Sequence, residues 1–402
     1  MKRSIWNTLF LIATFGIVFC LMVLTFQELF PEWKKYQAEY YQRLARVTGD
    51  PAKARTPVKI LQIYLPNMHR VDRCITCHVG IDNSKMKGQP LPFGSHPDLG
   101  DPHFLAHHPF NEIGCTVCHQ GQGPATIKEH AHGRVAHWEE PMLPKEYVAS
   151  NCAVCHKNVM ELKGAEILVQ AKALFDEKGC LGCHSLNGAG NQIGPELSET
   201  AAKSTDQFDF RHVRGPHTVH QWIEEHFKDP QAITPGDPAQ GIPESAMPNY
   251  ELNDKETKML TALVLSFAAG EEKEDHPIPS RFIVPAPPAK KPEPIEGTPA
   301  EKGRILFKKY GCTACHGVEG RGGIRNKNMA PSDEIPPLMT VSDGYTKEEV
   351  KQIIRNGRYP AKADASGQTP VLWMPAWKDK IPEDEIDAII EYIWNLHPQS
   401  KE

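Results

Sequence analysis

The chain has no surplus of positive charge: its 402 residues carry 45 Lys and Arg against 50 Asp and Glu, a formal net charge of −5. That excludes the basic balance through which a domain would hold nucleic acid. Aromatic residues make up only 8% and apolar residues 40%, while proline reaches 35 and glycine 30. Small units broken by turns are therefore expected in place of one extended side-chain core. Cysteine is plentiful at 11 residues, but ten of the 11 fall in one repeated five-residue pattern, which leaves no pair for a disulfide framework. Long uncharged runs are almost absent as well.

The single exception is Ile5 to Phe26, 22 residues without a charge. As a helix it would rise about 33 Å, enough to cross a bilayer. It is long for the apolar core of a cleaved signal peptide and no small-x-small cleavage site follows, so an uncleaved single-span anchor is expected. Lys34, Lys35, Arg43 and Arg46 beyond the run outnumber Lys2 and Arg3 before it, which the positive-inside rule reads as a cytoplasmic remainder. Cys20, inside the run, reads as a small apolar residue. From Glu28 to Thr48 a helix bearing Trp33, Tyr36, Tyr40 and Tyr41 suits either the outer membrane-water interface or a partner subunit.

The repeated pattern is Cys-x-x-Cys-His. It occurs at Cys74, Cys77 and His78; Cys115, Cys118 and His119; Cys152, Cys155 and His156; Cys180, Cys183 and His184; and Cys312, Cys315 and His316. Shuffling this composition would give roughly 0.01 such pentapeptides. A zinc ribbon does not require a histidine after every cysteine pair. The pattern is the covalent attachment signature of c-type haem: two thioethers from cysteine and an iron ligand from the adjacent histidine. Five haem c groups are expected. Such haem is attached outside the cytoplasm, which overrides the charge rule and places everything from Cys74 onward in the periplasm, tethered to the inner (cytoplasmic) membrane.

The first three proximal histidines lie 41 and 37 positions apart, too few for independent domains. Gly, Pro, Asn and Asp interrupt this stretch every few residues, so loops moulded around closely spaced haems are expected. Sixth ligands can come from His96, His103, His107, His108, His130, His132 or His137, with Met86 and Met142 the sulfur alternatives. Bis-histidine ligation is the economical reading. His96 and His108 precede proline and His132 precedes glycine, where the chain turns and can present a ring, so these three are the expected distal ligands.

From about Ala165 a helical period sets in, with Ile167, Ala171, Leu174 and Phe175 on one face leading into the fourth motif. Gly194-Pro195-Glu196-Leu197, then Ala246-Met247-Pro248 follow, and a last helix opens on the capping pair Asn253 and Glu256. In this order of helix, motif, Pro-x-Leu loop, methionine loop and closing helix, the segment resembles a class I cytochrome c. The resemblance implies Met247 as distal ligand and the Pro195 carbonyl as the group orienting His184. His217, His220 and His226 are rival ligands.

Residues 271–297, rich in proline and charge, read as a semi-extended linker, beyond which the fifth haem has a domain of its own. The plan repeats there: a helix around Glu301 to Tyr310, Pro336-Pro337-Leu338, the capping pair Thr346 and Glu349, Trp373-Met374-Pro375, and a stripe of Ile386, Ile389, Ile390, Ile393 and Leu396. Met247 and Met374 lie 63 and 58 residues past their proximal histidines. That coincidence supports ligation by Met374, with Met329 and Met339 as competitors.

The fold expected is thus mainly α. It comprises a membrane anchor and interfacial helix (1–57), a loop-rich three-haem domain (58–163), a class I cytochrome c-like domain (164–270), the linker (271–297) and a second such domain (298–402). Two imidazoles favour a lower potential than imidazole plus methionine, so electrons should run from the N-terminal cluster toward the C-terminal domains. The whole resembles multihaem subunits of membrane quinol-oxidising complexes: the pentahaem subunit of alternative complex III and the cytochromes paired with cytochrome b in bc-like complexes. An anchor followed by two class I domains is also similar to the dihaem subunit of cbb-type oxidases. These resemblances imply a respiratory subunit passing electrons from a membrane partner to a periplasmic carrier or terminal enzyme. A multihaem reductase or peroxidase is the rival reading; it requires an iron with an open position, whereas every haem here has a candidate sixth ligand.

Overall fold

The computed structural model describes residues 2–99, 101, 104–136, 138–237, 244–267, 277–286 and 294–397. These are mainly α-helical, with two two-stranded antiparallel ladders. By internal contacts the chain divides into two units, Met1–Leu143 with Lys273–Pro277, and Pro144–Glu272 with Ile278–Glu402.

In the first unit, α1 (Lys2–Leu29) contains the 22-residue apolar window Ile5–Phe26, none of which is buried within the chain. It is long and apolar enough to cross a membrane. Pro31 starts α2 (Glu32–Thr48), and Gly49, in the left-handed region, stops it. Trp33, Gln37, Tyr40 and Leu44 recur at helical spacing and are buried, Tyr40 and Leu44 against Met86 and Phe93. The aromatic face expected at a membrane-water interface therefore includes two residues, Trp33 and Tyr40, that pack within this unit instead. The extended lead before the first motif contains β1 (Ile63–Leu65), paired with β2 (Arg70–Asp72). Beyond it, among the described residues, the α-helices are single turns: α3 (Phe110–Ile113), α4 (Thr116–His119) and α5 (Lys128–Ala131). The frequent Gly and Pro allow nothing longer.

The second unit opens with a 3₁₀ stretch, Lys145–Asn151, followed by α6 (Cys152–Cys155) and α7 (Glu166–Lys178). The short ladder of β3 (Ser185–Leu186) and β4 (Ala189–Gly190) comes next. After it stand α8 (Val219–Lys228), α9 (Pro230–Ile233) and α10 (Asp254–Phe267). α10 packs on α7 through Ala171, Leu174, Phe175, Met259, Leu260 and Leu263. Leu168, rather than Ile167, is the fully buried residue at the start of α7. Asn253 and Glu256 exchange side-chain-to-backbone bonds of 3.0 Å, as the capping pair requires.

The last part repeats the plan with α11 (Pro299–Lys309), α12 (Thr313–His316), α13 (Lys347–Asn356) and α14 (Glu383–Trp394). Capping boxes Thr298/Glu301 and Thr346/Glu349 start α11 and α13. Leu306 and Phe307 of α11 share a core with Ile386, Ile389, Ile390 and Ile393 of α14.

Two boundaries differ from the sequence reading. The division falls at 143/144, ahead of the third motif, because Tyr147 is buried with its hydroxyl on Glu224 (2.7 Å) and Glu146 pairs with Lys258 of α10 (2.9 Å). Of the linker, 271–276 and 287–293 lie outside the described residues, while Val284 forms a parallel bridge with His156. That part of the supposed spacer is bound to the third motif.

Candidate haem sites

All five Cys-x-x-Cys-His segments fold into the same closed turn. The histidine N–H donates to the carbonyl of the first cysteine at 2.9 Å for His78 and His156 and 3.0 Å for His119, His184 and His316. One turn of chain thus brings the cysteine pair and its imidazole to one locality, and all ten motif cysteines are free of disulfides.

In the first unit, residues inside the motifs fix these turns. Thr76 is fully buried; its hydroxyl donates to Leu61 O (2.6 Å) and accepts from Leu61 N (3.0 Å), while its carbonyl accepts from Gln37 Nε2 (2.9 Å). Asp72, also fully buried, accepts from Cys115 N (2.5 Å), Thr116 N (3.0 Å) and Thr116 Oγ1 (2.8 Å). Lying two residues before Cys74, Asp72 ties the second turn to the first, and the thiols of Cys74 and Cys115 are in hydrogen-bond contact. Neither Thr76, Asp72 nor Gln37 carries a signal in the sequence; only burial together with complete hydrogen bonding reveals them.

The rings of His96 and His119 meet at an edge-type angle, with centroids 6.1 Å apart and planes at 63°. Two imidazoles sharing one metal through bonds of about 2.0 Å have centroids roughly 6 Å apart, so the pair fits an iron between them. Phe110 and Phe104 flank His96 at 5.8 and 6.5 Å. His78 is pushed down to about 4 by burial, then by the nearby His132 and His119. His108 is held through Nδ1 on Phe104 O at 2.8 Å. His103 and His137 lie outside the described residues.

In the second unit, His184 Nδ1–H donates to Pro195 O at 2.8 Å, the orienting bond that the class I resemblance implies. The ring lies so close to Gly194 that a Cβ there would sit 2.5 Å from His184 Cε1. His316 is buried more deeply and burial holds it down at about 4, yet its Nδ1 has no hydrogen-bond partner. Among the described residues, the orienting bond that His184 makes through Nδ1 has no counterpart at His316.

A sequence model of the cytochrome c family matches residues 168–268 and again 300–397. Cytochrome c6 of Euglena gracilis is 31% identical over 83 residues, which cover 77% of that protein and 21% of this chain. The chain belongs to the cytochrome c family. Cytochrome c6 of Cladophora glomerata is 28% identical over 90 residues, 81% of its length and 22% of this chain. The cbb3-type cytochrome c oxidase subunit CcoP of Helicobacter pylori is 26% identical over 153 residues, 38% of this chain. The chain spans 40% of the length of that CcoP. No solved structure matches.

Family membership makes this an electron-transfer protein with covalently bound haem c, a group whose iron cycles between ferrous and ferric. In the domain at 300–397 of this cytochrome, Met374 packs against the α11/α14 core, as do Cys312 and Leu338, and its backbone is pinned by exchange with Arg358 (2.9 and 3.0 Å). The competing Met329 is buried with its sulfur accepting from Asn326 Nδ2 at 3.4 Å. In the domain at 168–268, Met247 is held by Gln231 Nε2 on its carbonyl (2.5 Å) and by its own N–H on Ser245 Oγ (3.2 Å). His226 stacks on Trp222 at 4.7 Å and its buried Nδ1 is unpartnered; burial, then the nearby His184, holds it at about 4. His220 packs on Tyr147 at 5.7 Å, and His217 stacks on Phe210 at 5.1 Å.

Proposed function

We propose that this chain is a membrane-anchored pentahaem cytochrome, a subunit that carries electrons from a membrane quinol-oxidising complex to a periplasmic acceptor. The observation that carries the count of five is the identical closed turn at every motif, including the three outside the family match. The apolar window Ile5–Phe26 supports the anchor. Covalent haem at the remaining motifs puts them on the periplasmic side. The similarity to a subunit of a cbb3-type oxidase and to cytochromes c6 supports a respiratory setting with a carrier-like exit.

Within this reading Cys74/Cys77, Cys115/Cys118, Cys152/Cys155, Cys180/Cys183 and Cys312/Cys315 hold the haems, and the adjacent histidines are proximal ligands. His119 takes His96 opposite it, and His78 takes His132. Met247 and Met374 close the last two. Methionine raises and a second imidazole lowers the potential, so the anchor-side sites are the low-potential ones and flow runs toward residues 300–397.

A spectroscopically monitored redox titration of the full chain tests this. It should resolve about three low-potential and two high-potential centres, the latter with the near-infrared signature of methionine-ligated ferric haem. A single population, or an iron that binds small molecules in the resting protein, contradicts it.

A further inference from the structure

The fourth and fifth attachment turns are remote in sequence and touch in the second unit. A Cβ on Gly182 would fall on the Gly311 carbonyl oxygen, and one on Gly311 would fall on the Gly182 amide nitrogen. Gly179 is equally close, since its Cβ would meet Thr313 Oγ1 and lie 2.8 Å from Ala314 N. Gly179 and Gly311 also hold φ of +72° and +71°, which a side chain would strain.

Contacts of other kinds surround this seam. The side chains of Cys183 and Cys315 are in hydrogen-bond contact. Lys380 Nζ donates to Gly190 O (2.9 Å) and Asn191 Oδ1 (2.7 Å). Ile193, Ala246 and Cys315 pack against Met329, Ile335 and Leu372.

We infer that Gly182 and Gly311 fuse the two cytochrome c domains into one two-centre unit, in which the oxidation state of either centre sets the potential of the other. The inference rests on the reading above only in that both motifs carry haem c. Each of the touching sulfurs is a thioether in the mature protein, so the seam brings the attachment points of the two cofactors together without a bond between them. Oxidation adds one positive charge at one centre, and across a contact of low dielectric that charge opposes oxidation of its neighbour. One electron crossing the seam takes one iron from ferrous to ferric and the other from ferric to ferrous, with no atom or proton transferred.

The test uses the full-length holoprotein, as wild type, Gly182→Leu, Lys380→Ala, and Gly344→Ala as a control whose added methyl meets nothing within 4 Å. Haem content, potentiometric titration and electron paramagnetic resonance of the all-ferric state are read together. The wild type should show spin interaction between the two centres and midpoints that depend on each other. Gly182→Leu should abolish both, Lys380→Ala weaken both, and Gly344→Ala leave both intact. Should Gly182→Leu lose haem, the wild type and Lys380→Ala still decide. Two independent one-electron curves without spin interaction in the wild type overturn the inference. Missing haem at the first three motifs would sink the five-haem reading and leave this seam standing.

Discussion

Replacing His96 by alanine should open one iron and no other. The His96 and His119 centroids are 6.1 Å apart. Two metal-nitrogen bonds of about 2.0–2.1 Å, plus roughly 1.1 Å from each nitrogen to its ring centre, require about 6.3 Å. The mismatch is about 0.2 Å, within the tolerance of a side-chain torsion. The angle of 63° between the rings poses no obstacle, because both planes can contain the nitrogen-metal-nitrogen axis. His96→Ala therefore leaves His119 as sole axial ligand of its haem. One fifth of the haem should turn high-spin, and the variant should take up one equivalent of carbon monoxide per chain when reduced. Added imidazole should restore the low-spin spectrum. His107→Ala, at an exposed histidine, is the control and should change nothing. If every haem of His96→Ala stays low-spin and binds no imidazole, the pairing is wrong.

Met374→His should lower the potential of one high-potential centre and remove one of two methionine signatures, read by the same titration. Gly303 of α11 faces α14, and a Cβ there would fall on the Ala388 carbonyl oxygen. Because the clash is with backbone, Gly303→Ala should cost about 2–3 kcal/mol in overpacking against about 1 kcal/mol gained in helix propensity. Thermal unfolding of that domain should then begin roughly 5–10 °C lower, and an unchanged transition would refute the packing. Burial, then the nearby His184, holds His226 at about 4, below the ordinary histidine value near 6.5. The unfolded chain thus binds this proton first, so its stabilisation is complete above about pH 6.5 and is lost as pH falls through about 4. Thermal unfolding of the holoprotein should come at lower temperature as pH falls across that window, and greater stability on acidification would contradict it.

Regularly repeating features were legible in the sequence. The uncharged run Ile5–Phe26 is helical, the capping pair Thr346 and Glu349 forms its box, and Asn253 and Glu256 cap α10, because each depends on residues within one or two turns. Long-range contacts were not legible. The fifth motif was expected on a domain of its own, yet its turn packs on Gly182; a glycine at a seam and a glycine at a helix end look alike in sequence. Asp72 and Thr76 read as ordinary polar residues until their burial shows that they clamp attachment turns. Tyr40, amphipathic and flanked by basic residues, has the composition of a membrane interface but lies against Met86 and Phe93.

The number of haems per chain tests the account most directly. Purified full-length protein should give five covalently bound haem c by pyridine haemochrome absorbance against protein concentration, with intact mass agreeing. Two haems per chain, confined to residues 168–268 and 300–397, would contradict it.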